Sequence, residues 1–204
     1  MTSHLTETEI KLYVPDFAPV LARLTELDAV LETPRTFERN VRYLDAAQTF
    51  MERGIVLRLR QDAKIRLTYK EPPHIQDGMM SRFEAEITVD DFDMMDIILK
   101  KLGFVPDVVY EKYRTTYQLP QISDDTEILL DEMPYGNFVE IEGEPDAIRA
   151  AMQALHLSNA PHVGMSYLSM FMHIKRVLGL EMHDLTFANF EGVFVPSAAI
   201  PVRV

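Results

Sequence analysis

The feature that most constrains this chain is an alternation of charged and uncharged residues at a period of two, repeated in segment after segment. It first occurs at Glu7-Thr8-Glu9-Ile10-Lys11, followed by Leu12. Successive side chains of a β-strand point to opposite faces, so two carboxylates and an ammonium share one face here while Thr8, Ile10 and Leu12 share the other. Leu57-Arg58-Leu59-Arg60 repeats the pattern, and Arg66, Thr68 and Lys70 alternate with Leu67 and Tyr69. Arg82, Glu84 and Glu86 alternate with Phe83, Ala85 and Ile87. Lys112, Arg114 and Thr116 oppose Tyr113, Thr115 and Tyr117, and Glu140 and Glu142 oppose Val139 and Ile141. A chain that repeats this pattern is built around antiparallel strands with one polar and one drier face.

The charges are also sorted by sign. Arg58/Arg60 and Lys112/Arg114 are basic pairs; Glu7/Glu9, Glu84/Glu86 and Glu140/Glu142 are acidic pairs. Like charges two positions apart repel, and more strongly in a confined site than in water. For any one strand a solvated face is the plain reading. The repeated sorting suggests instead that a ligand supplies the opposite charge. Carboxylates in this pattern can hold a divalent cation, and Arg and Lys can bind the oxygens of a polyphosphate.

The strands are expected at 6–12, 36–45, 54–60, 64–70, 81–89, 108–119, 126–131 and 137–142, with a hairpin at Gln61-Asp62-Ala63 and a loop from Pro72 to Gly78. Pro15-Asp16 opens a helical pattern of Phe17, Val20, Leu21, Leu24 and Leu27. Asp90-Asp91 caps a second helix that stops at Gly103, Glu144-Pro145-Asp146 starts a third, and a fourth covers about 164–178. Helices that fall between groups of strands indicate an α+β fold. If the strands close into a barrel, the charged faces line its interior, which at eight strands has room for about one small ligand. Residues 1–179 are expected to form the main domain, with 180–204 an irregular C-terminal extension packed on it.

Composition narrows the function. An apolar fraction of 47% over 204 residues supports one domain with a real core. A net charge of −12 argues against a general nucleic-acid binder. With no Cys, any metal must sit on oxygen or nitrogen ligands. An acidic N-terminal region, and the lack of any apolar run near the ~18 residues a spanning helix needs, point to a cytoplasmic protein with no membrane partner. His183-Asp184 lacks partner histidines, and there is no phosphate-loop or dinucleotide motif.

The ordered set of motifs resembles the CYTH family of triphosphate tunnel metalloenzymes, which includes class IV adenylate cyclases, thiamine triphosphatases and inorganic triphosphatases. Glu7-Thr8-Glu9-Ile10-Lys11 matches the family's ExExK. Arg58-Leu59-Arg60, Thr68-Tyr69-Lys70, Arg82-Phe83-Glu84-Ala85-Glu86, Lys112-Tyr113-Arg114, Leu130-Asp131-Glu132, Gly136 to Glu142 and Ser166-Tyr167 follow in the expected order. The resemblance implies a closed eight-stranded antiparallel β-barrel with flanking helices. It implies that Lys11, Arg58, Arg60, Lys70, Arg82, Lys112 and Arg114 hold a triphosphate, with Arg39 of segment 36–45 a further candidate. It makes Glu7, Glu9, Glu84, Asp131, Glu140 and Glu142 the candidates for holding Mg²⁺ or Mn²⁺, and Lys11 a group that orients or deprotonates water. The expected function is metal-dependent hydrolysis of a small-molecule triphosphate (inorganic triphosphate, thiamine triphosphate or a nucleoside triphosphate) by a monomer or homodimer. The alternatives are a class IV adenylate cyclase that converts ATP to cyclic AMP and diphosphate, and a non-catalytic binder of polyphosphate or nucleotide. Hydrolysis needs only water, whereas cyclisation also needs an adenine pocket that no segment reveals.

Overall fold

The alternating segments pair edge to edge until the sheet meets itself. In the computed structural model, which describes residues 6–202, the first half of the chain forms β1 (Thr6–Tyr13), α1 (Ala18–Glu26), β2 (Val30–Asp45), α2 (Thr49–Glu52), β3 (Val56–Gln61), β4 (Ile65–Lys70), β5 (His74–Gln76) and β6 (Met79–Val89). The second half forms α3 (Phe92–Lys101), β7 (Phe104–Leu119), β8 (Ser123–Met133), β9 (Gly136–Glu142), α4 (Pro145–Ala154) and α5 (Tyr167–Leu178). The order β1-β9-β8-β7-β2-β3-β4-β6 closes through a β1–β6 pairing, which makes an eight-stranded antiparallel barrel, and β5 is added to β6 outside the ring. Residues 1–5 and 203–204, the outer ends of the two expected segments, lie outside the described residues.

Several boundaries differ from the expectation. The loop expected from Pro72 to Gly78 contains β5, paired with β6 through Ile75↔Met80. The short helix α2 was not expected. Strand β2 begins at Val30 rather than at 36 and passes through Pro34, which falls in a register shift against β7 between Thr33 and Thr36. Such an irregularity tolerates a residue that cannot donate a ladder hydrogen bond. Helix α5 starts at Tyr167, where the Ser166 side chain accepts from the Ser169 amide, and ends at Gly179, whose φ of 67° is left-handed.

Register carries the alternation around the ring. Arg42 lies opposite Arg58, Arg58 opposite Thr68 and Thr68 opposite Glu86. Lys70 lies opposite Glu84, Glu7 opposite Arg82 and Lys11 opposite Glu140. Directly opposed residues share a face, so every charged stripe falls on the inner wall. The outer face is apolar and covered by helices. Ile10, Leu12, Ile128, Leu130, Val139 and Ile141 pack with Val20 and Leu24 of α1 and with Ile148, Ala151 and Met152 of α4. Val41, Tyr43, Leu57 and Leu59 pack under Leu99 of α3. Among the described residues, no helix is long and apolar enough to cross a membrane.

Closure by strands alone leaves two seams. The β1–β6 pairing stops at Glu9, and beyond it the chain at 161–163 takes over: Tyr13 N donates to Pro161 O at 2.9 Å and Val163 N to Lys11 O at 2.8 Å. The β7–β8 pairing starts at Tyr113, and ahead of it the tail takes over: Leu185 N donates to Val109 O and Glu111 N to Leu185 O, both at 2.9 Å. The tail residues Leu185, Phe190 and Ile200 pack with Phe138, Met133 and Tyr135 of the barrel end and with Met170, Phe171 and Ile174 of α5. A Leu185→Ala substitution removes a side chain that is 0% exposed and is expected to cost about 2–5 kcal/mol in chemical denaturation; a loss below ~1 kcal/mol would mean that the tail is not part of the core.

Candidate active site

The barrel encloses a cavity of about 1010 Å³ lined mainly by the charged stripes. Lys11, Arg58, Arg60, Lys70, Arg82, Lys112 and Arg114 all line it, as do Glu7, Glu9, Glu84, Glu140 and Glu142. Two of the sequence candidates stand apart. Arg39 belongs to the opposite phase of β2, and its guanidinium lies 5.5 Å from the Phe92 ring of α3, outside the barrel. Asp131 is 0% exposed and is not on the cavity surface. Its Oδ2 accepts from Lys112 Nζ at 2.9 Å, from Arg114 Nη2 at 2.6 Å and from Tyr167 OH at 2.7 Å, and Arg114 Nε donates to its Oδ1 at 2.6 Å. Asp131 is therefore engaged by two cations and a phenol.

The structure adds residues that sequence reasoning missed. Glu38, Arg42, Tyr110 and Glu127 also line the cavity. Segment 36–45 carries charges on both phases, and the register of Asn40 opposite Arg60 selects the Glu38–Asn40–Arg42 phase as inward. That pairing was the missing signal for Glu38 and Arg42.

The cations are held in place by neutral and acidic neighbours. Arg58 Nη2 donates to Thr68 Oγ1 at 3.1 Å and Nη1 to Tyr110 OH at 3.4 Å. Arg60 Nε donates to Asn40 Oδ1 at 3.1 Å. Lys70 Nζ lies 2.5 Å from Glu84 Oε1 and 3.5 Å from Glu7 Oε2, and Arg82 Nε donates to Glu84 at 2.8 Å. Lys11 Nζ lies 2.8 Å from Glu140 Oε1 and 4.4 Å from the centroid of the Tyr167 ring. Arg114 also pairs with Glu140. The Nε atoms of Arg42 and Arg58 are buried without a hydrogen-bond partner. Buried donors are normally satisfied, so two unpartnered guanidinium nitrogens on adjacent strands fit an anion with many oxygens.

The fields follow from this packing. Burial would lower the pKa of Lys11, but Glu140, Glu9 and Asp131 outweigh it and raise the value, so Lys11 is a firm ammonium. Burial would raise the Tyr110 phenol, but Arg58, Arg60 and Lys112 outweigh it and lower it, which marks that end of the cavity as electropositive. The carboxylates split. Glu140 is held well below the usual range because Lys11, Arg114 and Lys112 outweigh its burial. Burial and the adjacent Glu7 push Glu84 up to about 7, and burial and Glu7 raise Glu142 well above the usual range.

Crowded carboxylates of this kind suit a cation. Among the described residues, Glu9, Glu140 and Glu142 bring one oxygen each to within 4.8 Å of one another. The donors are all hard oxygens, which fits Mg²⁺ or Mn²⁺ in chemistry. Two expectations separate this cluster from Asp131. Asp131→Asn removes the carboxylate that Lys112 and Arg114 share, leaving Lys112 with Glu38 at 3.6 Å and Arg114 with Glu140, and is expected to cost about 1–3 kcal/mol of stability in thermal or chemical unfolding; a variant as stable as the parent would contradict the pairing described. Glu142→Gln is expected to fold normally and to weaken Mn²⁺ binding in isothermal titration. Because a cation on this cluster must displace the proton that burial and Glu7 favour on Glu142, the parent's Mn²⁺ affinity should fall as the pH is lowered; a flat profile would contradict the raised carboxyl.

Comparison with known proteins places this geometry. The CYTH domain description matches residues 5–160. A Methanocaldococcus jannaschii protein named provisionally as an adenylate cyclase is 28% identical over 178 residues, covering 81% of this chain and 98% of the relative. A Vibrio parahaemolyticus structure with a similar provisional name aligns with a TM-score of 0.69 at 19% identity, covering 81% of this chain and 97% of the other. A Pyrococcus horikoshii structure aligns at 0.64 with 26% identity, over 81% and 98% of the two chains. A Hippeastrum structure, described as a provisional adenylyl cyclase with a dominant triphosphatase activity, aligns at 0.61 with 21% identity, over 81% and 95%. With the barrel, the motif order and the match over residues 5–160 in agreement, the chain belongs to the CYTH domain family.

Proposed function

We propose that the protein is a divalent-metal-dependent hydrolase of a triphosphate compound, with inorganic triphosphate, thiamine triphosphate and nucleoside triphosphates as candidate substrates. The observation that carries this reading is the cavity: basic side chains from six strands share one enclosed volume with the Glu9–Glu140–Glu142 cluster. A Mg²⁺ or Mn²⁺ ion held by that cluster would supply Lewis-acid neutralisation of charge on the phosphate oxygens.

The chain's own residues bind and orient. Arg58, Arg60, Lys112 and Arg114 would grip the phosphate oxygens, Arg with two parallel donors and Lys as a point charge. Thr68, Asn40 and Asp131 already hold these groups, so little reorganisation is needed as charge builds on the departing diphosphate. Lys70 and Arg82, fixed by Glu84, would hold a further part of the polyphosphate chain. In hydrolysis a water attacks the terminal phosphorus in line with the leaving oxygen. Lys11 Nζ, 2.8 Å from Glu140 Oε1 and so beside the carboxylate cluster, would orient the attacking water.

Hydrolysis is favoured over cyclisation because it needs only a water, and the aromatic residues lining the cavity among the described residues are Tyr110 and Tyr167, the latter with Lys11 Nζ 4.4 Å from its ring centroid. The names of the Methanocaldococcus and Vibrio relatives keep adenylate cyclase as the second reading.

With Mg²⁺ or Mn²⁺ present, orthophosphate release from inorganic or thiamine triphosphate is the expected result; cyclic AMP and diphosphate from ATP would replace hydrolysis with cyclisation, and tight binding without turnover would leave a binder. Arg58→Ala is expected to lower kcat/KM by roughly 10² or more with the fold intact by circular dichroism. Near-normal turnover in that variant would remove the basic stripe from the site.

A further inference from the structure

Helix α3 has two apolar faces, and the barrel uses only one. Phe92, Met95 and Leu99 pack on the barrel wall. Met94, Ile97 and Ile98 of the helix and Leu102 and Val105 just beyond it are exposed, from 43% to 70%. An apolar stripe of this kind on an outer surface marks an interaction site. The charges beside it identify the occupant. Asp93, Ile97 and Lys101 fall at i, i+4 and i+8, one stripe along the outward side of the helix. Among the described residues the ion pair within α3 is Lys100–Asp96 at 2.6 Å, and Asp93 and Lys101 are left facing solvent.

We infer that the outward face of α3 is a homodimer interface in which two copies of the helix pair antiparallel about a two-fold axis at Ile97. Asp93 lies four residues, about 6 Å, to one side of Ile97, and Lys101 lies the same distance to the other. An antiparallel copy therefore sets Asp93 of each chain beside Lys101 of the other, with Ile97 against Ile97 at the centre and Met94 and Ile98 flanking it. The patch is complementary to itself, as a two-fold contact requires. Parallel pairing would instead align Asp93 with Asp93 and Lys101 with Lys101. The antiparallel arrangement also opposes the helix dipoles favourably. A single helix pair buries less than a permanent interface does, so the dimer belongs to the weak, concentration-dependent class. The interface lies outside the barrel and is independent of what the cavity turns over.

Sedimentation velocity across the micromolar range is the test. The parent is expected to shift from monomer to dimer as its concentration rises, and Ile97→Glu is expected to remain monomeric. Asp93→Lys alone sets Lys against Lys at both ends, and Lys101→Asp alone sets Asp against Asp, so each is expected to be monomeric. Mixed in equal amounts, the two variants restore both pairs and are expected to form a heterodimer. A parent that stays monomeric to several hundred micromolar, or a dimer that survives Ile97→Glu, overturns the interface. Failure of the mixture to dimerise overturns the antiparallel pairing. Circular dichroism shows that each variant is folded, so that loss of the dimer is not loss of structure.

Discussion

A carboxylate with no solvent contact anchors the inside of this barrel. Asp131 takes hydrogen bonds from Lys112, Arg114 and Tyr167 and so ties β7, β8 and the start of α5 into one unit. From Arg114 the pairing continues to Glu140, then to Lys11 and on to Glu9. Charges removed from water are costly, and only close pairing with good geometry offsets that cost. The apolar outer wall, packed under three helices, supplies the stability that lets the inner wall remain charged. The same network that makes the interior tolerable also fixes each cation where a polyanion can use it.

Polarity runs along the cavity. Arg58, Arg60, Lys112 and Tyr110 cluster on β3 and β7, the two neighbours of β2, with Lys112 5.4 Å from the centroid of the Tyr167 ring, while Asp62 comes from the β3–β4 turn and Asp124 and Asp125 from the first residues of β8. A net charge of −12 therefore says little about the ligand, because the local arrangement gathers basic groups on the inner wall. The tail contributes at a distance from any ligand: by closing the seam beside β7 and filling the barrel end, it keeps water from the aromatic side of the Asp131 network.

How much of this could be read from residues alone depends on which interactions run along a strand and which run between strands. The period-two alternation was enough to mark the strands and the charged face, because both are properties of single segments. Phase was legible where the alternation was clean, as at Leu57 to Arg60, and not in segment 36–45, where Glu38, Arg39 and Arg42 carry charge on both faces. There only the pairing of Asn40 with Arg60 decides, and it puts Glu38 and Arg42 inside and Arg39 against Phe92. Sign sorting was real along each strand, but its partner was partly misjudged. Arg82 and Glu7, or Lys11 and Glu140, meet across the ladder, so the wall neutralises much of its own charge before any ligand arrives. Asp131 shows the same limit: one carboxylate ending a strand gives no sign that two cations and a phenol already hold it. The tail lacks periodicity, and its place in the core depends on seams that exist only once the barrel has closed.

The most direct measurement is a crystal structure of the protein grown with Mn²⁺ and a slowly hydrolysed triphosphate analogue. The expected result is phosphate density inside the barrel against Arg58, Arg60 and Arg114, with an anomalous manganese peak among Glu9, Glu140 and Glu142. Phosphate bound only on the outer surface, or manganese seated away from that carboxylate cluster, would contradict a triphosphate site within the barrel.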